Sequence, residues 1–255
     1  MKQLIQNFLS QFGYSIRRTS TLRGHEPGSM TRPIGEINLF LEDIHARGFA
    51  PRGIIDVGAN KGEWTNMALS IFPNTPVLMI EPQDEMERFL SEITKTTPNC
   101  HFIKAGAGRK AGELVQTIWG DLAGSSFLPP PNPELVQAGK QRKTRVITID
   151  EALTKDYPHF KPDLVKLDIQ GFELEALSGA ETLFGKTEIF ILEASLFSFM
   201  PSQPIVREVI SFMAAKEYEL YDIPGRCRRP YDGALGQLDL AFVKANGIFR
   251  KVTDW

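Results

Sequence analysis

Cysteine is nearly absent from this chain of 255 residues: only Cys100 and Cys227 occur, far apart and in no CxxC or Cys/His ligand spacing. That excludes a disulfide framework and a thiolate zinc site. Histidine is scarce as well, with His25, His45, His101 and His159 as its four occurrences. None of them ends a core strand in the reading below, so a histidine base is not expected unless His25 folds over the site. Excess charge of one sign is also missing. With 29 Lys plus Arg against 31 Asp plus Glu, the formal charge is -2, which leaves no basic field to hold a polyanion, and no nucleic-acid partner is expected. Long apolar runs are lacking too. The longest, Ile189 to Met200, is broken by Glu193 and is too short to span a bilayer. The opening residues carry no signal-peptide core or cleavage site, so the expectation is a cytoplasmic protein without a transmembrane segment.

Two parts differ in pattern. In residues 1–50, Leu4, Ile5, Phe8, Leu9 and Phe12 recur at helical spacing, and a second helical window runs from Ile37 to His45. This predicts an N-terminal helical appendage, whose first stripe either packs on the domain or rests on a partner or membrane surface. Residues 51–255 read as one domain. From Gly53 onward, β-branched runs alternate with amphipathic windows: GIIDV, VLMIE, HFIKA, DLVKLDI and TEIFILEA, separated by helices over about 63–72, 84–95, 172–184 and 205–216. That rhythm marks βαβ units and a parallel sheet covered on both faces. Two extra strands, ELVQTIW and TRVITID, flank the connection 121–140, where Pro129, Pro130, Pro131 and Pro133 argue against helix or central strand and mark a candidate lid or substrate loop. YELYDI and LDLAFVK read as a closing antiparallel pair.

The most informative stretch is Asp56-Val57-Gly58-Ala59-Asn60-Lys61-Gly62-Glu63, a buried strand entering a glycine-bearing turn and a helix. In an open parallel sheet, ligands bind beyond the carboxyl ends of the strands. A dinucleotide fingerprint in register from Gly58 would need glycine at the positions held by Asn60 and Glu63, so NAD and FAD are disfavoured. Gly185-Lys186-Thr187 ends like a P-loop, but Ala180 replaces the upstream glycine and a helix precedes it. An acid at the strand end followed by small residues suits a ligand with an amine and a ribose but no phosphate, as in S-adenosylmethionine. The second strand ends in Glu81-Pro82, at the separation where an acid meets ribose hydroxyls in such folds.

Asp56-Val57-Gly58-Ala59-Asn60-x-Gly62, Glu81-Pro82, Val146-x-Thr148-Ile149-Asp150 and Val165-Lys166-Leu167-Asp168-Ile169-Gln170-Gly171-Phe172-Glu173, in this order, resemble the FkbM family of S-adenosylmethionine-dependent methyltransferases. Leu220-Tyr221-Asp222-Ile223 and the run from Gln237 to Val243 resemble that family's closing strands, so the similarity covers about 53–244. The resemblance implies a seven-stranded Rossmann-like methyltransferase fold, mostly parallel with an antiparallel last strand. It implies S-adenosylmethionine as methyl donor and a hydroxyl of a sugar, glycan or small natural product as acceptor. By position, Asp56, Gly58, Asn60 and Gly62 make the cofactor turn, Glu81 binds ribose, and Lys104 to Gly106 lies near adenine. Ser125 and Ser126 match a serine pair often found in the family.

Asp168 ends the fourth core strand and is the first candidate for base or cofactor-amine contact; Glu193, ending the fifth, is the second. Glu173 is either part of the site or a helix-start residue favoured by the dipole. Asp168 and Glu193 lack a third ligand, so no metal is expected. Arg226, Arg228, Arg229 and Tyr231, in the loop before the last strand, suit an anionic group on the acceptor. Trp64 and Phe127 either face the sulfonium or pack in the core. A methyltransferase-fold binding or scaffold protein without catalysis is the alternative from another class, and self-association into a homodimer stays open.

Overall fold

The computed structural model describes residues 32–254. The stripe at Leu4, Ile5, Phe8, Leu9 and Phe12, together with His25, lies outside these described residues. The second expected helix of the N-terminal part is α1 (Ile37–Ala46), which buries Phe40, Leu41 and Ile44 in the core rather than standing apart from it.

The alternation then unfolds as expected: β1 (Ile54–Val57), α2 (Glu63–Ile71), β2 (Val77–Ile80), α3 (Glu87–Thr96) and β3 (Cys100–Ile103). A short β4 (Gly106–Ala107) and β5 (Gly112–Thr117) lead to α4 (Pro133–Gln137) and β6 (Gln141–Ile147). The chain continues through β7 (Leu164–Leu167), α5 (Glu173–Leu177), β8 (Ile189–Ser195), α6 (Val206–Ala215), β9 (Tyr218–Arg228) and β10 (Leu235–Lys244). The large sheet has seven strands in the order β3-β2-β1-β7-β8-β10-β9. Its first five members are parallel, while β10 runs antiparallel to both β8 and β9.

Three details depart from the sequence reading. The extra strands β5 and β6 pair as expected, in antiparallel fashion, but β4 joins β6 to make a three-stranded sheet. The proline-rich connection does contain a helix, α4. Pro133 occupies its first turn, where a missing N–H costs nothing, and the Asn132 side chain accepts from the N–H groups of Glu134 and Leu135. The helix expected over 172–184 is split into α5 and a 3-10 turn, Glu181–Leu183. Between them Gly179 passes so close to Gly108 that an added Cβ would lie 2.2 Å from its carbonyl oxygen.

Alternation of side chains along the strands builds two cores, one on each side of the sheet. Ile55, Val57, Val165, Leu167, Phe190 and Leu192 face α5 and α6. Ile54, Met79, Leu164, Ile191 and Ala241 face α1, α2 and α3. Burying each large aliphatic or aromatic side chain contributes about 1.5–3 kcal/mol, so this double layer fixes the positions of the strand ends, where the site lies. Among the described residues, no helix is long and apolar enough to cross a membrane.

At the amino-terminal edge of the sheet, Arg52 ties the start of β1 to the start of β7. Its backbone N–H, Nε and Nη2 all donate to Asp163, at 2.8, 2.8 and 2.6 Å. Burial pushes the Asp163 carboxyl up, but the Arg52 contacts outweigh it and hold the group below its ordinary value. A carboxylate depressed in the fold contributes stability above its unfolded pKa and loses it as the pH falls. Asp163→Ala is therefore expected to lower stability by about 1 kcal/mol at pH 7, since Arg52 itself is largely solvated. Urea melts of both proteins should show that difference shrinking below pH 4.

Candidate active site

The carboxyl edge of the central strands carries the site because the turn after β1 is forced tight against β7. Gly58 has φ +78°, and a Cβ there would lie 2.0 Å from the Asp168 carbonyl oxygen. Only glycine meets both the left-handed backbone and the close approach. Asn60 also takes positive φ, and Gly62, at φ +77°, ends the turn ahead of α2.

Two recesses open on either side of this turn. The first is a slot lined by Gly58, Asn60, Glu81, Gln83, Gly106 and Ser125, with Phe127 and Asp168 also on its walls. Glu81 is 3% exposed; its Oε2 accepts the Asn60 N–H and its Oε1 the Gln83 N–H, each at 3.0 Å. Burial raises the Glu81 pKa, and these two N–H groups oppose the shift. The Gln83 side-chain oxygen is buried in the slot without a hydrogen-bond partner. Gly106 leaves room for the Phe127 ring, which would lie 2.4 Å from a Cβ. Ser125 Oγ accepts the Trp119 N–H within the segment after β5, and Ser126 Oγ donates to the Gln170 carbonyl, so Ser126 ties the long connection to the loop after β7. Lys104 sits at the surface in ion pairs with Asp84 and Glu87.

The second recess is a hollow of about 350 Å³ lined by Ile37, Gly58, Asn60, Lys61, Glu63, Trp64, Ala123, Lys166, Asp168, Gln170 and Asp239. Gly58, Asn60, Ala123 and Asp168 border both recesses. Asp168 is the acid among these four shared residues. Its Oδ1 accepts from Gln170 Nε2 at 3.0 Å and its Oδ2 lies 3.3 Å from Lys166 Nζ.

Beneath the hollow the sheet register stacks charge. Asp56 of β1 stands opposite Lys166 of β7, and Lys166 Nζ lies 3.6 Å from Asp56 Oδ1. Asp56 Oδ2 accepts from Thr65 Oγ1 at 2.7 Å. The Asp56 carboxylate is 0% exposed and lines neither recess. The structure therefore places it under the turn, where it holds Thr65 and Lys166. Burial raises its pKa while Lys166 and Thr65 pull it back.

Glu193 of β8 is directly opposite Asp239 of β10. Burial drives the Asp239 pKa up to about 6, helped by the charge of Asp168. Burial, then Asp168, Glu173 and Asp239, drive Glu193 well above the carboxylate range. Sequence reasoning missed both Lys166 and Asp239. Each had a visible signal: a charged residue inside an otherwise apolar strand, in LVKL and in LDLAF.

The structure does not bring the arginines into either recess. Arg226 runs past Gly35 and Ile34. Arg228 donates to the Gly233 carbonyl, and Arg229 pairs with Asp232 at 2.6 Å and stacks 4.0 Å from the Phe197 ring. Tyr231 is 90% exposed. All four lie on the β9–β10 hairpin at the same edge of the sheet, outside the hollow. Of the two aromatics, Phe127 lines the slot and Trp64 lines the hollow, with its indole N–H buried and unpartnered. Among the described residues, no cluster of three His, Cys, Asp or Glu side chains is arranged to hold a metal.

Glu173 turns out to be a structural acid at the start of α5. Its Oε1 accepts the N–H groups of Ile169 and Gly171 at 3.0 and 3.2 Å, which shapes the loop after β7. Burial raises its pKa to about 7, from an ordinary value of 4.5. Between those values the folded protein binds a proton that the unfolded chain releases, so this group makes stability fall as the pH rises from about 4.5 to 7. Glu173→Gln keeps an acceptor for both N–H groups. It should flatten that decline, by about 1–3 kcal/mol across the interval, in denaturant melts at stepped pH.

A family model described as "Methyltransferase FkbM domain" matches residues 56–220. Methyltransferase sdnD of Sordaria araneosa is 28% identical over 156 residues, covering 50% of this chain and 60% of that protein, so the chain spans about three fifths of the length of that curated relative. Among solved structures, an FkbM methyltransferase from Methylobacillus flagellatus KT superposes with a TM-score of 0.47 at 19% identity, covering 74% of this chain and 43% of the other. The 1,6-didemethyltoxoflavin-N1-methyltransferase of Burkholderia thailandensis, solved with its substrate and S-adenosylhomocysteine, gives a TM-score of 0.46 at 13% identity, covering 82% and 79%. With the family model matching from the end of β1 to the start of β9, the chain belongs to the FkbM family of methyltransferases, whose methyl donor is S-adenosylmethionine.

Proposed function

We propose that this protein transfers the methyl group of S-adenosylmethionine to a hydroxyl of a sugar, a glycan or another small natural product. The observation that carries this reading is the placement of Asp168, which borders both the narrow slot beside Glu81 and Gln83 and the larger hollow beside Lys166 and Asp239. The residues present fit the cofactor. Glu81 keeps lone pairs beyond the two N–H groups it accepts, as ribose hydroxyls require. The orphaned Gln83 oxygen is an acceptor for the adenine amino group, and leaving such a buried atom unpaired is costly. Gly58 lets the ligand approach the main chain, and the carboxylates beyond it favour an ammonium and a sulfonium.

When bound, the cofactor supplies an electrophilic methyl group. The protein's own task is then alignment and removal of one proton. Asp168 accepts the acceptor's hydroxyl proton at Oδ1 or contacts the cofactor amine, and Lys166 holds its other oxygen in place. Glu193 stands behind it. Asp56 acts through Lys166 and Thr65 as a positioning residue. The hairpin bearing Arg226, Arg228, Arg229 and Tyr231 receives the more distant part of a long or anionic acceptor.

Glu81→Ala is expected to weaken S-adenosylhomocysteine binding by about 10- to 100-fold, the cost of losing hydrogen bonds to a charged group. Calorimetric titration checks this, with NADH as a control that should not bind. Asp168→Asn should lower methyl transfer to a panel of saccharide and phenolic hydroxyls by about 10²-fold or more. Transfer to amines but to no hydroxyl would contradict the assignment, and cofactor binding with no acceptor ever methylated would favour the scaffold reading.

A further inference from the structure

The hollow contains more acid than its one buried ammonium can neutralise. One step beyond the register Val57–Leu167–Leu192, the sheet presents Gly58, Asp168, Glu193 and Asp239 side by side. Glu193 and Asp239 face each other directly across β8 and β10, a pairing that sets Cβ atoms roughly 4.5–5.5 Å apart. On the far side of Asp239, in β9, stands Gly225. A Cβ at that position would lie 1.7 Å from Asp239 Oδ2, so the carboxylate fills the space of the missing side chain.

The charged groups facing this pair come from every neighbouring strand. Asp168 and Lys166 approach from β7, Glu173 from the start of α5, and Asp56 from β1 beneath; Lys61 and Glu63 stand at the mouth of the hollow. Lys166 is already shared between Asp56 and Asp168, and on its α2 side it meets the Trp64 ring at 5.7 Å. Among the described residues, no hydrogen bond or ion pair reaches the carboxylates of Glu193 or Asp239. Adjacent acids in such a place oppose one another's ionisation, and a further cation relieves that opposition. The methyl donor of this family carries that cation on sulfur, and Asp239 lines the recess it would face.

We infer that Glu193 and Asp239, together with Asp168, form a cofactor-responsive acid cluster of the reaction site: the cluster holds a proton in the free protein and releases it to solvent when the sulfonium arrives. The proton leaves a carboxylic acid, and the carboxylate that remains is the partner of the new positive charge. Binding the donor thus produces a basic carboxylate beside Asp168 at the time an acceptor hydroxyl needs one. The inference rests on the cofactor assignment above, and adds to it that Asp239, which no motif singled out, acts together with Glu193.

The test is calorimetric and needs no acceptor. S-adenosylmethionine and S-adenosylhomocysteine are titrated at pH 6.5 into the wild type, Asp239→Asn and Glu193→Gln, each in phosphate and in Tris. The dependence of the observed heat on buffer ionisation enthalpy counts the protons released. The expected result is up to about one proton per S-adenosylmethionine bound by the wild type, clearly fewer for the homocysteine analogue, which lacks the sulfonium charge, and little release from either variant. The two substitutions are isosteric and on different strands, so one that fails to fold leaves the other as the test. Equal heats in the two buffers for wild type that binds S-adenosylmethionine would overturn the inference, as would undiminished release from a folded variant. Absence of binding would instead remove the cofactor assignment and this inference with it.

Discussion

One buried ammonium organises the carboxyl edge of this sheet. Lys166 points from the middle of β7 into a layer that is otherwise apolar, and it is held there by Asp56 on the neighbouring strand and Asp168 two residues ahead. Such a charge is tolerated only when paired, and removing either member leaves a desolvated charge behind. The nearby carboxylates of Asp56 and Asp168 keep the Lys166 pKa raised against the opposing pull of burial. The pairing sets the height of Asp56 under the glycine turn, the orientation of Asp168 above it, and through Thr65 the start of α2.

From that anchor the two recesses follow. Gly58 lies against the Asp168 carbonyl with no room for a side chain, so the turn after β1 and the loop after β7 form one surface. Glu173 and Ser126 hold the second loop from behind, by accepting its N–H groups and donating to its carbonyl oxygen. Glu81, fixed by the N–H groups of Asn60 and Gln83, closes the slot on the β2 side. Asp239, opposite Glu193 in the sheet, lines the hollow on the β10 side. Small residues approach the main chain on one side of Asp168, and uncompensated acid collects on the other.

Much of this was legible in the sequence because parallel strands ending in an acid and a glycine turn leave a local signature. Asp56, Gly58, Glu81 and Asp168 follow directly from strand ends, the parallel sheet follows from the alternation, and its seven-stranded form is what the family resemblance implies. What escaped depends on contacts distant in sequence. Whether Asp56 faces a ligand or Lys166 is decided by the pairing of β1 with β7, and Asp239 matters only because β10 inserts between β8 and β9. The arginines were placed at the correct edge, but their partners are local to the hairpin: Asp232, Gly233 and Phe197. The helix in the proline-rich connection was missed because four prolines were read as breakers, whereas Pro133 stands where a helix accepts one.

The most direct test of the account is a crystal structure of the protein with S-adenosylhomocysteine. It should place the ribose on Glu81, the adenine amino group at Gln83, and the sulfur between Gly58 and Asp168 with the hollow beside Asp239 left open for an acceptor. Density for the ligand anywhere else, with the Glu81 and Asp168 carboxylates untouched, would contradict the account.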